Sequence, residues 1–540
     1  MGPLGEGASR GLVLGGVLVL CVLAGACRKA PVPEVSADPE VARRGRALFQ
    51  RGETARGAPL VGLLGPERIE LSGYVAACAR CHTPSGRGSR EGGVEVPDIR
   101  PEALRHPRAR AAVDVEDRSR PAYDAASLLR AITEGVSAQG RPLHPAMPRY
   151  VLGPVERGEL LAYLARLGEA ADPGVTPTVL TVGAALPLTG RWGALGQDVE
   201  AVLRAALAEV NAGGGIFRRR VELVVEDDAA SYEPGPSPGP DATARLVERG
   251  VFALVGSLRR GSPASDALLR REGLPLVLPL ALGEGGGAGD SPVFFLFPEE
   301  SLQARLVVQH LAREDVERGQ LRRRPLGVVR PETPEGLAWA RAAREEALRR
   351  ALPPPVEVPL VEGLPDADAV RRLGTAPPVA LLYTGPPAGL KALLGMVTSW
   401  PPETALYAPA RLAEPAVVEG VSRPVLFLYP PGVEGREAQL RVFSTFLERQ
   451  GLAPRHVAFQ LGAYAAVQVL AEALRRSGAE VTRADLVLRL EELRDFDTGV
   501  APPVSFGVNR RVGVQGAQLV RLDAASGRLE AASPWIPLSP

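Results

Sequence analysis

Lysine is almost absent from this 540-residue chain: Lys29 and Lys391 are the only two, and arginine carries the rest of the positive charge. Arginine and alanine are abundant in every segment, so the scarcity reads as genomic composition rather than a local signal. With 63 basic and 62 acidic residues the net charge is +1. No basic excess is left to neutralise a phosphate backbone, which excludes nucleic acid as a partner on charge grounds. Cysteine is scarce too, at four: Cys21, Cys27, Cys78 and Cys81. GxSxG occurs at Gly7–Gly11 and Gly235–Gly239, the first ahead of the apolar N-terminal stretch and the second in a proline-rich run; no nucleophile elbow, HExxH pair or P-loop appears, so none of these motifs marks the chain as an enzyme. What is present is ordinary globular composition, 45% hydrophobic and 23% charged, with length for two or three domains.

Residues 1–27 have the layout of an export signal. Arg10 gives a weakly basic start, offset by Glu6, and residues 11–23 are an apolar stretch too short to span a bilayer comfortably. Ala24, Gly25 and Ala26 then precede Cys27. This resembles the bacterial lipoprotein signal, in which the cysteine becomes the lipidated first residue, although Leu23 sits one position upstream of the leucine in that pattern. Ordinary signal cleavage and an uncleaved anchor are the alternatives, and all three place the body outside the cytoplasm, in the periplasm. Arg28 is not the acidic residue that commonly retains lipoproteins in the inner membrane, which favours the outer membrane. Residues 28–40 contain proline and charge and read as a tether. With Cys27 lipidated and Cys78 and Cys81 engaged elsewhere, no cysteine remains for a disulfide, and stability has to come from packing.

Residues 41–168 are expected to form the first domain. Their centre is Cys78-Ala79-Arg80-Cys81-His82. Two thiols three residues apart on one helical turn can add to the two vinyl groups of one porphyrin, and the adjacent imidazole then faces the iron. Zinc is the alternative, but it requires further Cys or His at coordinating spacing, and only His106 and His144 are at hand, without a second CxxC. Helical spacing marks residues 41–50, 123–134 and 159–167. A glycine-rich loop follows the motif at 83–88, and His144-Pro145-Ala146-Met147-Pro148 precedes the last helix. This order resembles class I cytochromes c. The resemblance implies a small all-α domain with one covalent haem c on Cys78 and Cys81, His82 as proximal ligand and Met147 as distal ligand. His144 is the rival, and bis-His ligation would lower the potential. An insert at 51–74 separates the first helix from CxxCH, unlike compact family members. Twenty arginines against fourteen acidic residues leave this segment at +6, which suits an acidic redox partner protein or merely reflects the arginine bias.

Residues 169–177 hold Pro173 and Pro177 and read as a linker. Beyond them, short apolar β-runs at 179–185, 221–226, 252–256, 275–278, 326–329, 379–383, 405–407 and 425–428 alternate with amphipathic helices. This is the pattern of parallel sheets in an α/β fold. Some 360 residues exceed one sheet and point to two lobes. The stretches GAALPLTGRWGALGQD, EVNAGGGIFRR, VELVVEDD and FALVGSLRRGSPASDALLRREGLPLVLPLA, with Asp495–Gly499 and Val504–Gly507 near the end, resemble type I periplasmic binding proteins of the branched-chain amino-acid group. The resemblance implies a two-lobed Rossmann-like domain, 178–540, that closes on a small ligand. Carried over by position, the cleft would be lined by Trp192, Ser257, Arg259, Ala281 and Tyr383. The loop at 279–282 offers no hydroxyl, Trp192 stands where a tyrosine is common, and the loop at 331–336 lacks the usual aromatic. Arg259 and Arg260 could take an anion, or could simply be solvated. Asp227 and Asp228 read as a loop cap rather than a metal site.

Together these readings predict an exported, non-enzymatic haem protein that joins electron transfer to a solute-binding module. The alternative is the substrate-binding receptor of an ABC permease with an accessory cytochrome. Two filled axial positions suit electron transfer rather than substrate activation.

Overall fold

The computed structural model describes residues 35–91, 93–107, 120–168, 171–232, 241–259, 263–281, 292–314, 319, 321–421, 423–433 and 435–538. The export signal, Cys27, most of the tether and Arg260 therefore lie outside the described residues. The chain divides into two compact units: one runs to Leu48 and adds Glu53–Ala76 and Leu104–Ala165, and the other comprises Phe49–Gly52, Ala77–Ala103 and Arg166–Pro540.

In the first unit, helix α1 (Pro39–Arg51) crosses the closing helix, while α2 (Ala125–Thr133) follows a capping box in which Asp124 and Ser127 satisfy each other's backbone N–H groups. The closing helix starts earlier than its periodicity suggests, because Pro154 occupies its first turn. It is α3 (Pro154–Leu164). Gly45 makes the crossing possible. A Cβ there would lie 1.9 Å from the Glu159 carbonyl oxygen and 2.9 Å from the Tyr163 Cβ. Arg44 closes the same contact with a 2.6 Å hydrogen bond to Glu159, which is almost wholly buried.

The expectation of an all-α unit needs correction. The insert forms a hairpin of strands β1 (Val61–Leu64) and β2 (Ile69–Ser72), and β1 pairs on its other side with β3 (Arg149–Val151). The result is a three-stranded antiparallel sheet in the order β2-β1-β3.

The second unit contains both α/β lobes. The first-lobe sheet runs β8-β7-β6-β4-β5, with β4 (Val179–Leu186), β5 (Arg220–Asp227), β6 (Ala253–Val255), β7 (Leu276–Val277) and β8 (Val293–Phe294), all parallel. The helix after β4, α4 (Gly193–Ala212), packs against α7 (Val457–Ser477), which returns from late in the chain. α7 is long and apolar enough to cross a membrane, but 67% of its apolar window is buried in the first-lobe core. The chain enters the second lobe with α5 (Glu300–Glu314). Its sheet contains β9 (Gly327–Pro331), β10 (Val356–Val361), β11 (Ala380–Tyr383), β12 (Ala405–Pro409) and β13 (Val425–Tyr429), parallel in the order β10-β9-β11-β12-β13, with β14 (Gly516–Leu522) antiparallel beside β13. α6 (Pro334–Arg349) covers one face together with α5. Alanine and leucine in these strands are buried on both sides of the sheet, as parallel strands require.

Helix α8 (Arg483–Glu491) anchors the linker segment itself. The Asp172 carboxylate accepts the Arg483 N–H at 2.5 Å, and the buried Arg483 guanidinium donates to the carbonyls of Val251, Phe252 and Glu272. Asp485 completes the capping box with Thr482. Burial raises its carboxyl from 3.8 to about 6, with the Asp172 charge adding to the rise.

Two outcomes are expected. Gly45→Ala should destabilise the first unit by about 3 kcal/mol in a denaturant titration, since backbone has to move to admit one methyl. Asp485 binds its proton more tightly folded than unfolded, so its contribution favours folding most below pH 3.8 and is lost as pH rises to about 6. The stability of Asp485→Asn relative to wild type should therefore rise across that interval, by on the order of 3 kcal/mol, and stay flat above it.

Candidate functional site

The CxxCH residues sit on a one-turn helix, Ala79–His82, whose His82 N–H bonds the Cys78 carbonyl at 3.0 Å. Cys78 is half-buried and Cys81 is exposed. His82 is 8% exposed. Its Nδ1 lies 3.0 Å from the Pro97 carbonyl oxygen. A carbonyl only accepts, so Nδ1 carries the proton and Nε2 keeps its lone pair. Burial lowers the imidazole pKa and favours the neutral ring, the form that ligates metal. Thr83 turns the chain at φ 64°, and the loop closes with Gly88 N–H on the His82 carbonyl at 2.8 Å. Among the described residues no group of three His, Cys, Asp or Glu side chains gathers to hold a metal ion. Around the motif, Arg87 pairs with Glu480, and Arg80 lies 3.9 Å from the buried Glu491.

Met147 belongs to the other unit. It is half-buried, in a turn where its N–H bonds the His144 carbonyl at 3.1 Å. His144 is exposed, and its Nδ1 accepts the Ala146 N–H at 3.2 Å.

The cleft side of an α/β lobe lies at the carboxyl ends of its strands, at the point where strand order reverses. In the first lobe that point falls between β4 and β6. Ser257 bridges it: its hydroxyl accepts the Ala185 N–H at 3.1 Å and is buried. Leu258–Arg259 pairs with Leu280–Ala281 in a short parallel ladder, which brings three expected residues together. Arg259 does not stand free, because its guanidinium pairs with Asp266. The Asp227 carboxylate folds the loop after β4, accepting from Leu188 N–H at 2.8 Å and Thr189 Oγ1 at 2.7 Å. Trp192 is half-buried at the end of that loop, with the Arg191 guanidinium 5.4 Å from its ring and a buried indole N–H that has no partner among the described residues.

Tyr383 is placed differently from its expected position at the cleft wall. It is fully buried in the second-lobe core and donates its hydroxyl to the Pro386 carbonyl at 2.7 Å. Thr384 and Gly385 follow β11 at the second-lobe switch point, between β9 and β11, and Arg411, just after the neighbouring β12, reaches them. It forks onto Glu300 at 2.5 and 3.2 Å and also donates to Thr384 Oγ1 at 3.1 Å and to the Gly385 carbonyl at 2.9 Å. The sequence carries one signal for it: Arg411 and Thr384 each follow an apolar parallel strand, the position at which such folds bind ligands. The lobes are joined by paired hinge segments, Phe295 N–H to Arg511 carbonyl at 2.7 Å and Val514 N–H to Leu296 carbonyl at 2.8 Å. Arg511 is itself tied to Glu491 at 2.8 Å and lies 4.5 Å over the Phe294 ring.

Residues 179–355 match the protein family described as periplasmic binding protein. Curated relatives include Leu/Ile/Val-binding protein homolog 2 of Brucella abortus (strain 2308), 33% identical over 102 residues, which is 18% of this chain and 26% of the relative. The Leu/Ile/Val-binding protein BraC3 of Rhizobium johnstonii is 35% identical over 104 residues, 19% and 27% of the two chains. The chain thus spans about a quarter of the length of the curated relatives it matches. Among solved structures, a fatty acid ABC transporter substrate-binding protein from Thermomonospora curvata superposes with TM-score 0.50 at 17% identity, covering 68% of this chain and 95% of that one. A branched-chain amino acid ABC transporter protein from Thermus thermophilus with bound valine gives TM-score 0.50 at 14% identity, covering 67% and 97%. At such identities these structures speak to fold, and the fold of the second unit's two lobes is the parallel-sheet α/β fold of a type I periplasmic binding protein.

Proposed function

We propose that this protein is an exported solute-binding receptor of the branched-chain amino-acid type of ABC system, and that it carries one covalent haem c on the CxxCH segment. The first half rests on the two hinged lobes and the family match at 179–355. A small molecule binds between the carboxyl ends of the two sheets, and an ABC permease is the natural partner of such a receptor. Leucine, isoleucine and valine are poor candidates for the ligand. An amino-acid zwitterion needs donors for its carboxylate and acceptors for its ammonium. Here the Ser257 hydroxyl accepts the Ala185 N–H and keeps only its single O–H to donate, and Arg259 and Arg411 are already paired with Asp266 and Glu300. A zwitterion that recruits either arginine displaces its internal partner, and a charged group left unpaired costs several kcal/mol, on the order of a thousandfold in affinity. An aromatic or anionic metabolite that can stack on Trp192 or compete for Arg259 fits better.

A specific observation favours the haem: the buried His82 ring, held by Pro97 through Nδ1 so that Nε2 remains a ligand. Cys78 and Cys81 would hold the porphyrin covalently, with His82 and Met147 on the iron. The group supplies one-electron transfer, so a redox partner protein is implied. Cys27 would carry lipid and anchor the chain to a periplasmic membrane face, the outer membrane being favoured.

Isothermal titration of the full chain with the three branched-chain amino acids should show no binding at micromolar affinity. Tight binding of any one would mean that backbone groups suffice. On a denaturing gel stained for haem peroxidase activity, the wild type should show a band at full length that disappears in the Cys78→Ser, Cys81→Ser double variant. A wild type that loses its haem on denaturation would refute covalent attachment.

A further inference from the structure

We propose that Arg411 is the carboxylate receptor of the second lobe, that Glu300 occupies its fork as a resident surrogate, and that the solute bound here is a carboxylic acid with no amino group beside the carboxylate. This rests on the receptor reading above and goes further, naming the class of ligand and the residue that selects it.

The fork is a fixed construction. Thr384 and Gly385 follow β11 and Arg411 follows β12, so topology sets all three on the carboxyl edge of the second-lobe sheet. Arg411 donates through Nη1 to the Gly385 carbonyl at 2.9 Å and through Nη2 to Thr384 Oγ1 at 3.1 Å, which fixes the plane of the guanidinium. Nε and Nη2 then meet Glu300 at 2.5 and 3.2 Å. The two holders are fixed in turn. Thr384 is buried, and a Cβ on Gly385 would lie 2.5 Å from Leu360 Cδ1 and 2.6 Å from the Tyr383 hydroxyl oxygen. A planar pair of donors held in this way is the geometry that takes a carboxylate through two parallel bonds.

Two features make Glu300 replaceable. One is access. The Arg411 side chain is 45% exposed and Glu300 22%, whereas Arg259 in the first lobe is 11% exposed beside Asp266. A solute therefore reaches the second-lobe guanidinium first. The other is the place of Glu300 at the start of α5, a helix of fifteen residues. A carboxylate displaced from Arg411 stays at the positive end of that helix, near backbone N–H groups without intrahelical acceptors, and keeps part of its stabilisation.

The same helix end sets the sign of the ligand. An incoming carboxylate gains both the fork and the positive end of α5, while an ammonium group an atom or two away meets that end as a like charge. The first-lobe edge adds donors: Ser257 keeps its O–H, and the Trp192 indole N–H has no partner among the described residues. Donors on both edges favour a ligand rich in acceptors.

The test is isothermal titration of the full-length protein with matched triplets that share one carbon skeleton: 3-phenylpropionate, phenylalanine and phenethylamine, and 4-methylpentanoate, leucine and isoamylamine. At least one acid should bind at micromolar affinity and more than tenfold tighter than its amino acid, with no binding of the amine. Arg411→Gln should weaken that acid at least tenfold. Glu300→Gln should tighten it about tenfold, because a neutral amide competes poorly for the guanidinium. A purely structural role for the pair would not raise affinity on its loss. Arg371→Ala, which breaks an exposed ion pair with Asp368 on a separate helix, should leave the affinity unchanged. Failure of both acids, or acid binding that neither cleft variant alters, overturns the inference. Neutral sugars, amides and further amino acids titrated in the same way separate it from the receptor reading. A solute of one of those classes that binds and contracts the protein in small-angle X-ray scattering leaves the receptor reading standing and the inference refuted. Absence of binding across every class refutes the receptor reading itself.

Discussion

Strand direction is the constraint on which the larger unit depends. All five strands of the first lobe run the same way, as do five of the six main strands of the second. Parallel pairing forces each connection to cross back over a face of the sheet, so both faces acquire helices and both are buried. It also collects the carboxyl ends of every strand on one edge. Ser257, Arg259 and the loop folded by Asp227 are on that edge in the first lobe, and Thr384, Arg411 and Pro331 in the second. The site is thus a consequence of topology before it is a matter of side chains. The antiparallel β14 breaks the rule only where the chain has already returned through the hinge.

Arginine bias shapes the electrostatics of both units. Several nearly inaccessible carboxylates are met by guanidinium groups: Glu159 by Arg44 in the first unit, and in the second Glu346 by Arg305, Arg349 and Arg350, Asp198 by Arg455, and Glu491 by Arg511. A guanidinium stays ionised when partly buried and presents a planar fork, which makes it the cation best suited to such sites. The same habit extends to the cleft, where Arg259 and Arg411 are both paired internally. A ligand there meets neutralised ion pairs rather than bare charge. Recognition then works by exchange of partners, which penalises any ligand that cannot replace the carboxylate it displaces.

How much of this was legible in the sequence follows from locality. Eight strands of the two lobes stand out because parallel strands are continuous apolar runs, and the CxxCH turn because its residues are contiguous, whereas Val293–Phe294, Val356–Val361 and Gly516–Leu522 do not. The hairpin at 61–72 did not stand out. Its strands are four residues each, β2 is largely exposed, and the partner that makes them a sheet lies near residue 150. Arg411 and Glu300 are 111 residues apart and belong to different elements, so no window contains the pair. Tyr383 was misplaced for a different reason. It closes an apolar strand and so looks like a residue at a cleft mouth, but Pro386 offers its hydroxyl an acceptor three residues on. That allows the ring to remain in the core.

The two proposed iron ligands show why one site needs a hydrogen bond and the other a scaffold. An imidazole has two nitrogens, so one can be fixed by the protein while the other faces a metal. His82 is oriented by Pro97, a residue fifteen positions on, and burial keeps the ring neutral. Almost all the information for that half is carried by a short stretch around the motif. A methionine sulfur has no second polar atom to fix. Every constraint on Met147 has to come through its neighbours: the turn closed by His144, the clamp of Arg149, and the strand pairing that fixes Arg149 in turn. The turn that carries Met147 is therefore assembled from segments more than eighty residues apart in sequence.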